Sequence, residues 1–446
     1  MPKGVRKVEF SFEERYITLF GGMWLMHRFC KKLGLKRLIQ RYVRLDERNR
    51  KYHPSDLILA LLYAIIMGLR RINKTEILQY NGVFRAMLGL ENFPDATTLR
   101  RFLKRLPPKA IRQIVRLHDS LRGHLYALPH ARTSLTFDLD SMVLVIYGQP
   151  EGARVGYNPR KPGRRSYHPL FCFEAHFQEF WHGSLRHGDT VAATGAVPFL
   201  EICLAKVPQT IARSRIRVRM DSGFYSQRIL RFLDGKGLGY VIVAKEYAPI
   251  KRRARGCRFK SIGHGWEVGE FWDKVHQKWE KRHRFVVVRR PVPEDPTEAG
   301  QLKLFKDRRY VYHVFVTNLG LSPWRVYRFY RPRATIEKNN REFLYDYPLG
   351  KIPTHSWTAN VAFFQLVLFA ADLVHWFKRL CLPPEYLTST IETIRNDFLV
   401  LPAKLVRAAK TNVVKLPYGY RHQKEFKQAY RKIENLQLHR KFRICK

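Results

Sequence analysis

The alternation of apolar and polar residues divides the chain into a helical first part and a strand-rich second part. Up to about residue 130, apolar positions recur every three or four residues, which is typical of amphipathic helices. Helices are predicted over residues 21–39, from Leu57 onward and over residues 74–88. The second of these helices has a predicted N-terminal cap in His53-Pro54-Ser55-Asp56. We therefore predict an all-α N-terminal domain over residues 1–130.

The segment after Pro94 has a strongly amphipathic helical pattern with one apolar side and one basic side. Its apolar side carries Leu99, Phe102, Leu103 and Leu106, and its basic side carries Arg100, Arg101, Lys104 and Arg105. A short helix and a tight turn precede it, which is the arrangement of a helix-turn-helix that contacts DNA. A surface helix of an ordinary bundle has the same pattern, and both interpretations stay open.

Near residue 133 the apolar spacing changes to two, which indicates strands. Strands are predicted over residues 133–147, 170–177, 181–185, 216–221 and 239–245, and helices over residues 196–205 and 226–235. The order of three strands, helix, strand, helix and strand is the layout of a ribonuclease-H-like core. We therefore predict an α/β fold with a ribonuclease-H-like mixed five-stranded sheet and flanking helices, and residues 131–245 form its first part.

The remaining chain divides into three further segments. Residues 246–319 contain strand-like runs and are predicted to be a β-rich insertion. Residues 320–400 contain an acidic helical stretch and a long apolar helix over residues 360–380, and are predicted to complete the core. Residues 401–446 are predicted to be a basic C-terminal tail.

The net charge of the chain indicates the class of its binding partner. The 446 residues include 82 Lys and Arg but only 37 Asp and Glu, a net charge of +45 that is spread along the whole chain. A polyanion is the simplest partner, and nucleic acid is a better candidate than acidic lipid. The 45% apolar fraction is ordinary for a globular protein, so the chain as a whole is not a disordered basic protein.

The cysteines and apolar runs exclude other classes. The six cysteines form no Cys-x-x-Cys pair, so neither a zinc ribbon nor a disulfide framework is indicated. The N-terminal residues lack the apolar core of a signal peptide, and the longest apolar runs are too short or too polar to cross a bilayer. We expect a cytoplasmic protein without membrane contact, whose apolar runs are buried helices.

Two carboxylates share one side of the first predicted strand. Asp138 and Asp140 are two residues apart, so both side chains point to the same face. Burying two carboxylates on an otherwise apolar strand costs free energy unless a bound partner compensates their charge. A hard divalent cation is one such partner, because it prefers oxygen ligands. Capping of the strand end is the alternative interpretation.

Another carboxylate follows a predicted strand at its C-terminal end. Asp221 ends the strand over residues 216–221, and Gly223 allows a sharp exit into the next helix. In α/β sheets this edge is where ligand-binding groups lie. Capping of the following helix would also explain Asp221.

The last acidic stretch, residues 327–347, combines carboxylates with basic and aromatic residues. Tyr330, Arg333 and Glu337 are spaced three and four apart, so on one continuous helix they share a face, with Pro332 in the first turn. A solvated salt bridge on a helix surface would have the same appearance.

Together these stretches resemble the DDE transposases of bacterial insertion sequences. One group of that family has a third motif Tyr-x2-Arg-x3-Glu-x6-Lys, which Tyr330, Arg333 and Glu337 match in type and spacing. The final Lys position holds Leu344, and Arg341 is the nearest cation. The other matching segments are Asp140-Ser141-Met142, Asp221-Ser222-Gly223-Phe224 and the runs over residues 147–159 and 166–170.

This resemblance implies a reaction and its residues. Asp140, Asp221 and Glu337 would be the catalytic residues and would bind two Mg²⁺ ions, for which Mn²⁺ can substitute. Asp138 would be an alternate or additional ligand. Tyr330, Arg333 and Arg341 would bind DNA phosphates.

The resemblance also implies partners. These are double-stranded DNA, in the form of terminal inverted repeats and target DNA, and a second copy of the chain, giving a homodimer on paired ends in the bacterial nucleoid. A metal-dependent nuclease that cannot join strands, and a non-catalytic DNA-binding relic of a transposase, remain alternatives.

Overall fold

The computed structural model describes residues 10–45, 51–126, 133–274, 279–292, 305–306, 310–408 and 411–437. Contacts divide the chain into two units. The helical unit comprises Met1–Leu121 and Glu342–Lys446, and the sheet unit comprises Arg122–Arg341.

The described residues form α-helices and β-strands, which are numbered in chain order. The α-helices are α1 (Met23–Lys32), α2 (Leu35–Tyr42), α3 (Pro54–Ile66), α4 (Gly82–Leu88), α5 (Ala96–Arg105), α6 (Pro108–Tyr126), α7 (Ala196–Ala205), α8 (Gln227–Gly235), α9 (Ala248–Arg255), α10 (Pro323–Tyr330), α11 (Thr335–Tyr345), α12 (Trp357–Cys381), α13 (Ile391–Ile394) and α14 (Gln423–Asn435). The strands are β1 (Ile17–Thr18), β2 (Leu135–Ser141), β3 (Leu144–Val145), β4 (Arg154–Val155), β5 (Arg165–Tyr167), β6 (Leu170–Glu174), β7 (Glu179–Ser184), β8 (Ile216–Met220), β9 (Gly239–Val243), β10 (Lys260–Ser261), β11 (Glu267–Asp273), β12 (His283–Pro291), β13 (Phe305–Lys306), β14 (Tyr310–Thr317), β15 (Ala403–Ala408) and β16 (Thr411–Lys415).

Five strands of the sheet unit have the order and directions of a ribonuclease-H-like core. Their order is β7-β6-β2-β8-β9. The first three pair antiparallel, whereas β2, β8 and β9 are parallel. Buried residues of α7 and α8 pack with those of β2, β8 and β9 in one apolar cluster. The predicted fold class is confirmed.

The predicted β-rich insertion is a continuation of this sheet. Strand β14 pairs antiparallel with β9, and β12, β11 and β10 follow in that order, while β13 pairs with β14. The sheet therefore has ten strands in the described part of the chain, five more than the predicted core. Its buried β12 and β14 residues extend the same apolar cluster. The first predicted strand, in contrast, is shorter than residues 133–147, because β2 ends at Ser141 and β3 belongs to another sheet.

The long apolar helix groups differently from its predicted domain. Helix α12 packs against α3, α5 and α14 and therefore belongs to the helical unit and not to the sheet unit. Because α12 is apolar on most of its sides, it is shielded from solvent only when other helices surround it. By length and composition α12 could cross a membrane, but 83% of its most apolar 18-residue window is buried inside the protein. The predicted buried helix is thus observed.

Other described segments of the helical unit also pack against their neighbours. In the predicted basic tail, β15 pairs with β1 and β16, and α14 buries Ala429 and Ile433. In the predicted helix-turn-helix, the Asp95 carboxylate accepts from the Thr98 amide at 2.7 Å and caps α5. The apolar side of α5 is buried as predicted; its contact with DNA stays a prediction.

Candidate active site

The carboxylates predicted from separate stretches come together at one edge of the main sheet. Strands β2 and β8 are parallel, and their register pairs Asp138 with Arg219. Continuing that register by two residues places Asp140 beside Asp221, which directly follows β8. Because parallel strands end at the same edge, both carboxylates lie where α/β sheets bind ligands.

A single cationic nitrogen lies between these two carboxylates. Arg333 is buried, and its Nη2 donates to the Leu139 carbonyl at 2.7 Å and to Asp140 Oδ1 at 3.0 Å. The same Nη2 is 3.6 Å from Asp221 Oδ2. One positive charge therefore faces both carboxylates. The combined negative charge of the two carboxylates makes this position suitable for binding a cation.

Asn340 completes the surroundings of Asp140. Its Nδ2 donates to Asp140 Oδ2 at 2.5 Å, so each carboxylate oxygen of Asp140 has a different partner. Asn340 Oδ1 is buried and has no hydrogen-bond partner among the described residues. Asn340 was not predicted from the sequence, although it lies three residues after Glu337, a spacing that places both residues on one side of α11.

Burial changes the proton affinity of Asp140. It raises the pKa of this carboxyl from 3.8 to about 6; nearby Asp221 adds to the increase, whereas Arg333 and the Asn340 hydrogen bond act in the opposite direction. The carboxylate is thus held in an environment that disfavours its charge, which a bound cation would reverse.

Asp138 has a different role in the same strand. Its two oxygens accept from Arg219 Nε and Nη2, each at 2.5 Å, and both side chains are buried. Arg219 Nη1 also donates to the Phe329 carbonyl at 2.6 Å. Both Asp138 oxygens are therefore committed to one partner, which favours Asp140 over Asp138 as a ligand for a cation.

The third stretch is not the continuous helix predicted. A 3-10 turn over Arg331–Ala334, which contains Pro332, separates α10 from α11. Tyr330 ends α10, Arg333 lies in the turn and Glu337 lies in α11, so the shared face is not formed by one helix. In this arrangement the Arg333 side chain reaches Asp140.

The remaining predicted residues have distinct surroundings. Tyr330 is only 1% exposed and packs against Phe315 with ring centroids 4.9 Å apart, and burial raises its pKa to about 12. Arg341 is exposed. The side chain of Glu337 lies outside the described part of the structure.

His168 borders the site and was not singled out from the sequence. Its Nδ1 is 2.5 Å from the Thr190 carbonyl, and its Nε2 is 3.1 Å from Ser141 Oγ. A carbonyl can only accept, so Nδ1 carries the hydrogen and the Ser141 hydroxyl donates to Nε2. Burial lowers the pKa of His168, which keeps the ring neutral. The Ser141 side chain next to Asp140 is thereby held in one orientation.

The side chains fit a divalent cation as far as they are described. Asp140 and Asp221 supply hard oxygen donors that already share one cationic neighbour. Within the described ranges no three His, Cys, Asp or Glu side chains form a metal cluster. With Glu337 as a third carboxylate, the donor set would be complete.

Comparison with protein families gives a match over nearly the whole chain. The family model described as "Transposase DDE domain group 1" matches residues 1–438. No curated protein matches the chain.

Several solved structures also match. A piggyBac transposase synaptic complex with hairpin DNA is 11% identical, with 87% of this chain and 88% of that chain covered and a TM-score of 0.40. A pre-cleavage Mos1 transpososome is 12% identical, with 44% and 60% covered and a TM-score of 0.17. A Mos1 transposase paired-end complex with left transposon end is 11% identical, with the same coverage and TM-score.

Proposed function

Because the chain belongs to the DDE transposase family, we propose that it hydrolyses phosphodiester bonds at transposon ends and joins the 3′-hydroxyl ends to target DNA. The observation that carries this proposal is the position of Arg333 Nη2, 3.0 Å from Asp140 and 3.6 Å from Asp221. Two carboxylates from adjacent parallel strands converge there on one cation. Two carboxylates that converge in this way suit a metal-dependent nuclease site.

Asp140, Asp221 and Glu337 are the residues that would hold the ions, with Mg²⁺ as the expected metal and Mn²⁺ as a substitute. When bound, two such ions supply an activated water or hydroxyl nucleophile and stabilise the leaving oxygen. Asp138 is the weaker candidate, because its oxygens are both occupied by Arg219.

The protein's own side chains would prepare this site for DNA. Asn340 fixes Asp140 Oδ2, while Asp140 Oδ1 accepts from Arg333 Nη2, the nitrogen that also faces Asp221. Arg333 balances the charge of the two carboxylates, and its guanidinium is the kind of cation that would pair with a DNA phosphate.

The other proposed phosphate-binding residues differ in access. Arg341 is exposed and can reach a phosphate directly. Tyr330 is buried, so its predicted phosphate contact would require α10 to move.

The proposed partners follow from the charge and the family. An excess of 45 positive charges suits double-stranded DNA, in this case the terminal inverted repeats and the target. Joining two ends requires that both be held together, so we propose a homodimer on paired ends. The proposed location is the nucleoid in the cytoplasm of a bacterium.

The test is cleavage of a labelled duplex that carries the ends of the protein's own genetic element, with Mg²⁺. Wild type should nick at the element boundary, whereas Asp140→Ala, Asp221→Ala and Glu337→Ala should not. Glu246→Ala, which removes an exposed carboxylate of the same unit, is the matched control and should cut normally.

Three outcomes would change the proposal. Cutting without joining to a target plasmid would indicate a nuclease without strand transfer. Binding of the ends without any cutting would indicate a relic that only binds DNA. An inactive Asp138→Ala that folds normally, beside an active Asp140→Ala, would move the first ligand to Asp138.

A further inference from the structure

A small sheet begins three residues after the end of β2 and carries a cluster of exposed basic and aromatic residues. It consists of β3, β5 and β4, in that order. We call its exposed end the tip and define the tip as Tyr147, Tyr157, Arg160, Lys161 and Arg164. All five belong to the sheet unit, and all are exposed.

The strand register brings the two tyrosines to the same end of the small sheet. Val145 pairs with Ser166 and Val155 pairs with Arg165. Because β3 and β4 both pair antiparallel with β5, their C-terminal ends lie at the same end of the small sheet as the start of β5. Tyr147 and Tyr157 each follow their strand by two residues, and Arg164 directly precedes β5.

Exposure and charge distinguish the tip from an ordinary loop. Tyr147 and Tyr157 are each 72% exposed, although large aromatic side chains are usually well covered. Lys161 Nζ is 3.0 Å from Tyr147 Oη and 5.6 Å from its ring centroid, so cation and ring form one surface. Cations interleaved with aromatic rings can contact the phosphates and the sugars of a DNA backbone together.

Internal contacts hold the tip in a fixed position. A Cβ on Gly156 would lie 2.0 Å from the Gly188 carbonyl oxygen, so the backbones touch where no side chain fits. Tyr167 Oη donates to the Glu151 carbonyl at 2.6 Å, and the Lys161 amide donates to Asn158 Oδ1 at 3.1 Å. The surface is therefore formed before any partner binds, which lowers the entropy cost of binding.

The tip lies at a definable distance from the carboxylates. At the other end of β5, His168 Nε2 is 3.1 Å from Oγ of Ser141, the neighbour of Asp140. From Arg164 to His168 the extended chain advances about 13 Å, at roughly 3.3 Å per residue. DNA rises about 3.4 Å per base pair, so this distance spans about four base pairs.

From these observations we infer that the tip binds double-stranded DNA about four base pairs from the phosphodiester bond held at Asp140 and Asp221. Arg160 and Arg164 contact phosphates, and the tyrosine rings lie against the sugars of the adjoining nucleotides. This inference rests on the proposed function only for where the cleaved bond lies.

The test compares two double variants that lose the same charge. Arg160→Ala/Arg164→Ala removes two cations of the tip. Arg215→Ala/Lys236→Ala removes two exposed cations next to the N-terminal ends of β8 and β9, which is the opposite edge of the main sheet. Binding of the end duplex is measured by fluorescence anisotropy between 50 and 200 mM KCl (about the range over which phosphate contacts are lost), with Ca²⁺ to prevent cutting.

The tip variant should lower the slope of log affinity against log salt by about 2, since each phosphate contact contributes about 0.9. It should also lose hydroxyl-radical protection about four base pairs from the element boundary. The control variant should change neither. Tyr147→Ala/Tyr157→Ala should weaken binding about tenfold without changing the slope, and Tyr147→Phe/Tyr157→Phe should restore it.

Equal effects of the two charge variants, or an unchanged footprint in the tip variant, would overturn the inference. So would a wild type that does not bind the duplex. The proposed function fails separately: a wild type that shows the tip footprint but never cuts with Mg²⁺ supports the DNA surface and contradicts the catalytic proposal. Thermal melting of each variant confirms that the exposed substitutions leave the fold intact.

Discussion

The middle and the end of strand β2 each place an aspartate against a buried arginine, but the two pairs are built differently. In the middle, Arg219 binds both oxygens of Asp138 with two nitrogens at 2.5 Å. At the end, Asp140 divides its oxygens between Arg333 and Asn340, and one nitrogen of Arg333 also faces Asp221.

This difference separates a structural ion pair from an exchangeable one. A bidentate pair satisfies both partners, so replacing either leaves a buried charge without compensation. A cation shared by two carboxylates satisfies neither fully, and we propose that another cation can replace it. On this proposal Asp138 serves the stability of the fold and Asp140 serves the reaction, although the sequence alone does not distinguish the two.

The strongest way to test this division is to remove the carboxylates at the end of β2 and β8. Asp140→Asn and Asp221→Asn should each lower Mg²⁺-dependent cleavage by about three orders of magnitude or more, because the metal-binding oxygens are lost. Single-turnover cleavage of the end duplex measures this. Circular dichroism should show a wild-type fold; a globally unfolded variant would contradict the assignment of these residues to chemistry.

The second test removes the carboxylate in the middle of β2. Asp138→Ala should lower the free energy of unfolding by about 3–5 kcal/mol, since Arg219 would stay buried and unpaired. Urea denaturation measures the loss. The double variant Asp138→Ala/Arg219→Met should recover much of it, because no uncompensated charge remains. A folded, stable Asp138→Ala protein with no cleavage would instead place Asp138 in the reaction.

A third test concerns the residue that orients Asp140. Asn340→Ala should weaken Mn²⁺ binding about 10- to 100-fold, as loss of a group that positions a metal ligand does. Electron paramagnetic resonance of free Mn²⁺ gives the affinity without any need for activity. Asn339→Ala, one residue away, removes a side chain that contacts Gln178 and is the matched control. Equal affinities of the two variants would exclude the positioning role of Asn340.

The smallest expected effect is a pH dependence of stability. The pKa of Asp140 is raised to about 6 by burial, so the folded state binds a proton more tightly than the unfolded state. Its contribution to stability is fully present below about pH 4 and is lost as the pH rises through about 6.

Urea denaturation of wild type and Asp140→Asn between about pH 4.5 and 7.5 tests this. The stability of wild type relative to the variant should fall by an amount on the order of 1 kcal/mol across that range. A constant difference would show that the Asp140 environment does not disfavour its charge.

The sequence predicted those parts of the fold that depend on local pattern. Helix α7 occupies the predicted residues 196–205, because an apolar run follows Gly195, which adopts the left-handed φ of +70° that glycine favours. The order of strands and helices around Asp140 and Asp221 was predicted from the change in the spacing of apolar residues. That order in turn indicated the ribonuclease-H-like core.

The remaining features depend on contacts between distant segments. The 3-10 turn before Glu337 is associated with the Arg333 side chain reaching Asp140, 193 residues earlier. The pairing of β14 with β9 and the contact of Asn340 with Asp140 likewise join residues far apart in the chain. Local periodicity contains no information on which distant partner a segment will meet.

The pairing of β14 with β9 has a consequence for any shortened form of this protein. The catalytic core resembles a unit that could be isolated by deleting residues 246–319. However, β9 contains a run of apolar residues, and β14 occupies its outer edge. Removing β14 would expose unpaired backbone groups along an apolar strand, which is a template for pairing with other chains. The shortened core is therefore expected to aggregate, and the added strands act as the cover that keeps the sheet from polymerising.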